Sequence, residues 1–224
     1  MKKTLLSYFT KVVLALPLGG VGGGLLVSCS EEDDAVDEYA NWQGRNEAFV
    51  ASLASDSLHS PASQNQWLRL KSYSLDQTTE GSASDYVYAK VIRKGEGTDS
   101  PMLTDSVRVS YRGRIIPTTS HPEGFVFDGT YYGSYNSATN ATAKFVMVSS
   151  GYEAVVPGWI TALLHMHRGD YWRIFIPYQL GYGETDKSSV GIPAYSTLIF
   201  DITLVDFSPA GHAMQPYSSR RNND

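Results

Sequence analysis

Five short segments in the second half of the chain hold the residue types that could do chemistry. They are Tyr111-Arg112-Gly113, Phe127-Asp128-Gly129, Val155-Val156-Pro157-Gly158-Trp159, Tyr182-Gly183 and Thr197-Leu198-Ile199-Phe200-Asp201. They supply many aromatic rings, the carboxylate of Asp128 and the phenol of Tyr182, with no obvious nucleophile. Such a set can enclose an apolar ring and ease rotation about a neighbouring planar bond without a covalent step. By residue type alone, Trp159, Phe200, Val155 and Val156 read equally as core, and Asp128-Gly129 as a turn. His165 and His167 are the nearest thing to a metal pair. They stand two residues apart at the end of a short helical pattern and face different ways, with no acidic ligand at typical spacing, so no metal site is expected.

These segments need a scaffold. From Tyr86 the pattern has period 2: Val87, Ala89 and Val91 alternate with Tyr86, Tyr88, Lys90 and Ile92, which predicts a strand. Gly95-Glu96-Gly97 breaks it. Val107 to Ile116, Tyr171 to Ile176 and Thr197 to Phe207 read as further strands. Trp159, Ala162, Leu163 and Met166 recur at helical spacing, with Pro157 near the start and Gly169 placed to end the helix. Several strands and one short helix predict an antiparallel α+β domain.

Taken in order, the five segments resemble the FKBP-type peptidyl-prolyl cis-trans isomerase family, over roughly residues 85–207. The resemblance implies a curved antiparallel sheet wrapped around one short helix, here 158–166. It implies a ligand pocket floored by Trp159 and walled by Tyr111, Phe127, Phe145, Val155, Val156, Ile192 and Phe200, with Asp128 and Tyr182 as its polar members. Asp128, Tyr182 and Trp159 would carry catalysis on the Xaa-Pro bonds of polypeptide clients, no cofactor is implied, and a macrolide is a possible second ligand. Phe145 aligns with either of two family phenylalanines.

Two departures from the pattern favour an alternative, a non-catalytic binding module on the same fold that takes a proline-containing or other extracellular ligand. The loop from Gly129 to Lys144 is long and rich in Tyr, Ser, Asn and Gly, a composition suited to adaptable contacts, and is expected at the pocket rim. Gly191 stands where the family is usually bulkier.

The remaining chain speaks to location. Met1-Lys2-Lys3 precedes a small and apolar run from about Val12 to Val27, and Leu26-Val27-Ser28-Cys29 looks like a bacterial lipobox cleaved before Cys29. The run is too glycine-rich and too short for a membrane span. Cys29 is the one cysteine in the chain, so it forms no internal disulfide and sits where lipidation needs it. The acidic run Ser30-Glu31-Glu32-Asp33-Asp34 resembles one that sends Bacteroidetes lipoproteins to the outer membrane's surface. The expected location is the cell envelope, at the outer membrane and facing the periplasm or the surface.

The full chain carries a formal net charge of −5. Cleavage removes three lysines and no acids, which makes the remainder more acidic still. That argues against nucleic acid and against electrostatic attachment to anionic lipid. The expected organisation is a signal peptide over 1–28, then a tether, amphipathic helix and spacer over 29–84. An isomerase domain over 85–208 and a polar tail over 209–224 complete it. In the second of these regions Tyr39, Trp42, Phe49 and Leu53 share a helical face over 36–54. That helix either docks on the domain, lifts it from the membrane, or serves as a partner-binding or dimerising arm.

Overall fold

The computed structural model describes residues 37–59, 67–147 and 155–214. The expected signal peptide, Cys29 and the acidic run lie outside them, as does the end of the polar tail. Seven strands form one antiparallel sheet: β1 (Trp67–Lys71), β2 (Tyr86–Arg93), β3 (Ser106–Ile115), β4 (Val126–Gly129), β5 (Ala143–Val146), β6 (Tyr171–Ile176) and β7 (Leu198–Ser208). Their order is β1-β2-β6-β7-β3-β4, and β5 pairs with the other half of β3. The helices are α1 (Trp42–His59) and α2 (Pro157–Leu163).

Strand alternation sorts the side chains into two faces. The inner face carries Val87, Ala89, Ile174, Ile176, Leu198, Ile202 and Leu204, all fully buried. The sheet wraps around α2 on this face, and residues Gly158 to Leu163 are all buried there. Pro157 opens α2 at a position where its missing N–H costs nothing. The helix ends earlier than expected: Leu164 caps it, and Gly169 (φ +88°) serves the later turn into β6, where its N–H donates to Leu204 O at 2.8 Å.

Helix α1 covers part of the outer face. Trp42, Asn46, Val50 and Leu53 are buried and spaced along one stripe of it. Phe49 meets Phe175 at 6.0 Å. Tyr39, expected on that stripe, precedes the helix and is 39% exposed. With α1 on one side and α2 on the other, Tyr86 through Ala89 are buried on both faces, which simple alternation does not foretell. The expected spacer also contributes a sheet strand: β1 pairs with β2 from Trp67↔Lys90 to Lys71↔Tyr86, so the sheet begins before residue 85.

Two buried polar groups lock these layers. Asn46, fully buried, accepts the Thr197 N–H at 2.7 Å and donates to Trp42 O at 2.8 Å. The Trp42 indole donates to Ser196 Oγ at 2.9 Å, so α1 holds the entry to β7. On the outer face of β7, Asp201 is fully buried beneath three arginines. It accepts from Arg173 Nε at 2.6 Å, Arg114 Nη1 at 2.8 Å and Arg112 Nη2 at 3.2 Å. Burial disfavours its charge, but the hydrogen bonds from Arg173 and Arg114 outweigh that and hold its carboxyl below the usual range.

Asn46→Ala leaves the Thr197 N–H buried and unpaired, and the expected cost is about 2 kcal/mol, read as a lower denaturant midpoint at unchanged slope. Asp201→Asn strips three arginines of their counter-charge, with an expected loss of about 3–5 kcal/mol at neutral pH. Because its folded pKa is lowered, the ionised Asp201 stabilises above the ordinary carboxylate range, and that stabilisation is lost as pH falls below about 4. Thermal unfolding against pH should therefore show a smaller acid-side decline in Asp201→Asn than in the parent chain.

Candidate active site

The inner face brings one aromatic group together around α2. Val156, extended at the N-cap, accepts the Trp159 N–H at 2.9 Å through its carbonyl and so sets the indole in the first helical turn. Trp159 is 3% exposed. Three rings approach it edge-on: Tyr111 at 5.1 Å from β3, Phe145 at 5.2 Å from β5 and Phe200 at 5.4 Å from β7. Phe127 from β4 packs edge-on to Phe200 at 5.6 Å. Such edge-to-face contacts match ring quadrupoles and fix ring orientation.

Gly113 makes this packing possible. A Cβ there would lie 2.5 Å from Phe200 and 2.8 Å from Phe127, so both rings rest on bare strand. Phe145, whose alignment the sequence leaves double, belongs to the cluster, since it pairs with Val107 in register and also lies 5.9 Å from Tyr111. Ile192 is buried, and Val155 and Val156 pack half-buried against the same core.

The polar members sit beside these rings. Tyr111 donates its hydroxyl to Asp128 Oδ2 at 2.7 Å, and Asp128 Oδ1 accepts the Gly129 N–H at 2.8 Å. Burial, then the bond to Asp128, pushes the Tyr111 phenol well above its usual pKa. Partial burial and the Asp128 charge raise Tyr182 too. Both phenols therefore remain protonated donors through the neutral range. The Tyr182 ring is 39% exposed, and its hydroxyl has no hydrogen-bond partner among the described residues. The Trp159 indole N–H is buried and likewise unpartnered. His165 and His167 take protein partners: His165 Nδ1 lies 2.8 Å from Thr161 O, and His167 Nδ1 lies 3.5 Å from Asp170.

Gly191, which stands where the family is usually bulkier, leaves no open space. Its φ is +80°, and a Cβ there would meet the Phe125 ring at 2.1 Å, so Phe125 fills the space. Phe125, which stands edge-on to His121 at 5.2 Å, escaped sequence reasoning because it lies in an aperiodic loop; the anomaly at Gly191 was its one signal. The long loop goes elsewhere. The Thr130 N–H donates to Tyr111 O and its Oγ1 accepts the Tyr111 N–H, keeping the chain along β3 between β4 and β5. Tyr131 and Tyr135 then fold onto the outer face of the sheet, where Tyr135 stacks on Tyr171 at 4.9 Å.

Known proteins resemble this chain in sequence and in fold. Residues 97–205 match the family model described as FKBP-type peptidyl-prolyl cis-trans isomerase. An Escherichia coli K12 protein, the FKBP-type 22 kDa peptidyl-prolyl cis-trans isomerase, is 38% identical over 117 residues, which are 52% of this chain and 48% of that one. The E. coli K12 isomerase FkpA is 30% identical over 171 residues, 75% of this chain and 55% of its own. That second match is longer than the stretch from residue 97 to the C-terminus, so it reaches back before the family domain. The chain thus spans about half the length of these curated relatives. A crystal structure of a Pseudomonas syringae pv. tomato peptidyl-prolyl isomerase superposes with TM-score 0.51 at 22% identity, covering 76% of this chain and 96% of that one, a likeness of fold. With its sheet, its short helix and its aromatic cluster in this order, the chain carries a domain of the FKBP-type peptidyl-prolyl cis-trans isomerase family.

Proposed function

We propose that this chain is a peptidyl-prolyl cis-trans isomerase acting on Xaa-Pro bonds of exported or cell-envelope polypeptides. The observation that carries the reading is Trp159 ringed by Tyr111, Phe145 and Phe200, beside the unpartnered hydroxyl of Tyr182. Rotation about a peptide bond faces a barrier of roughly 18–20 kcal/mol. For Xaa-Pro it takes tens to hundreds of seconds unaided. The planar amide is stabilised by charge separation between its oxygen and nitrogen, which water supports better than an apolar cavity does. The twisted transition state has lost much of that separation. A dry aromatic box therefore favours the twisted form over the planar one, with no bond made or broken.

Each residue then has a role. Trp159 floors the box, and Tyr111, Phe145 and Phe200 grip the proline ring, with Phe127, Val155, Val156 and Ile192 completing the walls. Tyr182 donates to the substrate carbonyl. Asp128 orients the Tyr111 hydroxyl and acts electrostatically on the twisted amide. The same box would take a macrolide. The loop that favoured a binding module instead supports the enzyme, because its Tyr131 and Tyr135 lie on the far side of the sheet.

The test is exchange of short Xaa-Pro peptides by the full chain. Trp159→Ala is expected to lower kcat/KM about a hundredfold and Tyr182→Phe about tenfold, the latter equal to one hydrogen bond made in the transition state. Tight peptide binding without turnover in the parent chain would sink the isomerase reading in favour of a binding module.

We also propose export and lipid attachment at Cys29, with outer-membrane residence. The lipobox and the acidic run support this, and no described helix is long and apolar enough to cross a membrane. On this reading Cys29→Ala moves the protein from the membrane fraction to the soluble one and removes the acyl mass increment; unchanged fractionation would refute it.

A further inference from the structure

The outer face of the sheet holds a second polar site that the isomerase reading does not use. A groove of about 560 Å³ opens there, lined by Arg93, Arg112, Tyr131, Tyr135, Tyr171 and Arg173, with Asp201 beneath. Strand register assembles it. Arg112, Asp201, Arg173 and Lys90 form one row across four strands, and Thr203, Tyr171 and Arg93 form the next. The inserted loop then lays Tyr131 and Tyr135 over these rows. Tyr135 stacks on Tyr171, Arg93 lies 5.8 Å from the Tyr135 ring, and Arg112 donates to Gly133 O at 2.9 Å.

The donor and acceptor inventory is lopsided. Three guanidinium groups line the groove against one carboxylate, and Asp201 is already saturated by Arg112, Arg114 and Arg173. Glu123 acts on Arg173 only from a distance. Arg93 has no carboxylate or hydrogen-bond partner among the described residues, and one amino group of Arg173 is left over. Tyr131 lines the groove but is only 6% exposed; its hydroxyl is buried and faces the Tyr171 phenol, another groove residue. Arg112 Nε is buried and unpartnered. Buried donors without acceptors are costly. Here that donor adds to unspent positive charge on Arg93 and Arg173 in a chain that is acidic as a whole.

We infer that this groove binds an oxyanion, phosphate or sulfate, carried on a small organic group that lies against the tyrosine rings. The geometry of guanidinium forks suits tetrahedral oxyanions. The stacked pair of Tyr135 and Tyr171 offers a flat apolar shelf beside them, as a sugar or aromatic ring would need. The site faces away from Trp159 and stands independently of the isomerase assignment.

The experiment titrates the full chain with inorganic phosphate, inorganic sulfate, a hexose phosphate and unsubstituted hexose, followed by calorimetry and by the arginine Nε–H signals in NMR. The anions are expected to bind saturably and more weakly as salt rises, and the neutral hexose not at all. Tighter binding of the hexose phosphate than of phosphate assigns an ester ligand. Equal binding retains the oxyanion site and assigns the free anion. Arg93→Ala, at an exposed position outside the proposed active site, should weaken binding about tenfold while leaving proline isomerisation and thermal unfolding unchanged. Tyr171→Phe should weaken it by a smaller factor. Absence of saturable anion binding, or binding that Arg93→Ala leaves untouched, would overturn the assignment.

Discussion

Strand β7 carries Phe200 and Asp201 side by side, and alternation sends them to opposite faces of the sheet. Phe200 enters the aromatic box, while Asp201 is buried under Arg112, Arg114 and Arg173 from the two neighbouring strands. The rest of the structure depends on that division. A slip of one residue in β7 would drive a carboxylate into the box and expel a ring from it. Desolvation offsets much of the Coulomb attraction in a buried ion cluster, so its net stabilisation is modest. Its effect on register is larger, because a one-residue slip would turn the charge away from the arginine face. The same bonds that tie β3 and β6 to β7 hold Tyr111 opposite Ile202, and thereby hold Tyr111 against Trp159.

Helix α1 extends this control beyond the family domain. Through Asn46 and Trp42 it grips Thr197 and Ser196, the two residues before β7. It also converts the outer side of β2 and β6 into core, around Tyr88 and Phe175. Strand β1 pairs along β2, which would otherwise be an open edge at that end of the sheet. The described residues 37–59 and 67–84 are thus structurally part of the sheet and its packing. The outer face is left with a division of its own: apolar under α1, and arginine- and tyrosine-lined under the inserted loop.

Much of this was legible in the chain itself. Period-2 runs marked β2 and β3 and apolar-rich runs marked β6 and β7, each to within a residue or two, and the 3.6-period run marked α2. The motif order located the rings and polar groups that the structure brings together, because each lies on or beside a regular element whose spacing is visible locally. Tyr39 was misplaced because a helical stripe read from sequence does not reveal where the helix begins. β1 resembles a spacer in sequence because five residues hold too little pattern without their partner strand.

By itself the sequence determined the element types, the alternation that separates Phe200 from Asp201, and the aromatic residues available for a box. Local periodicity and residue chemistry suffice for these. The tertiary structure alone decided that Asp201 meets three arginines, that Phe125 occupies the space beside Gly191, and that Asn46 caps the entry to β7 across 151 residues of chain. It alone sent Tyr131 and Tyr135 of the loop to the outer face. Each of these depends on contacts between residues far apart in sequence, where the competition is among whole packings and no window along the chain contains both partners.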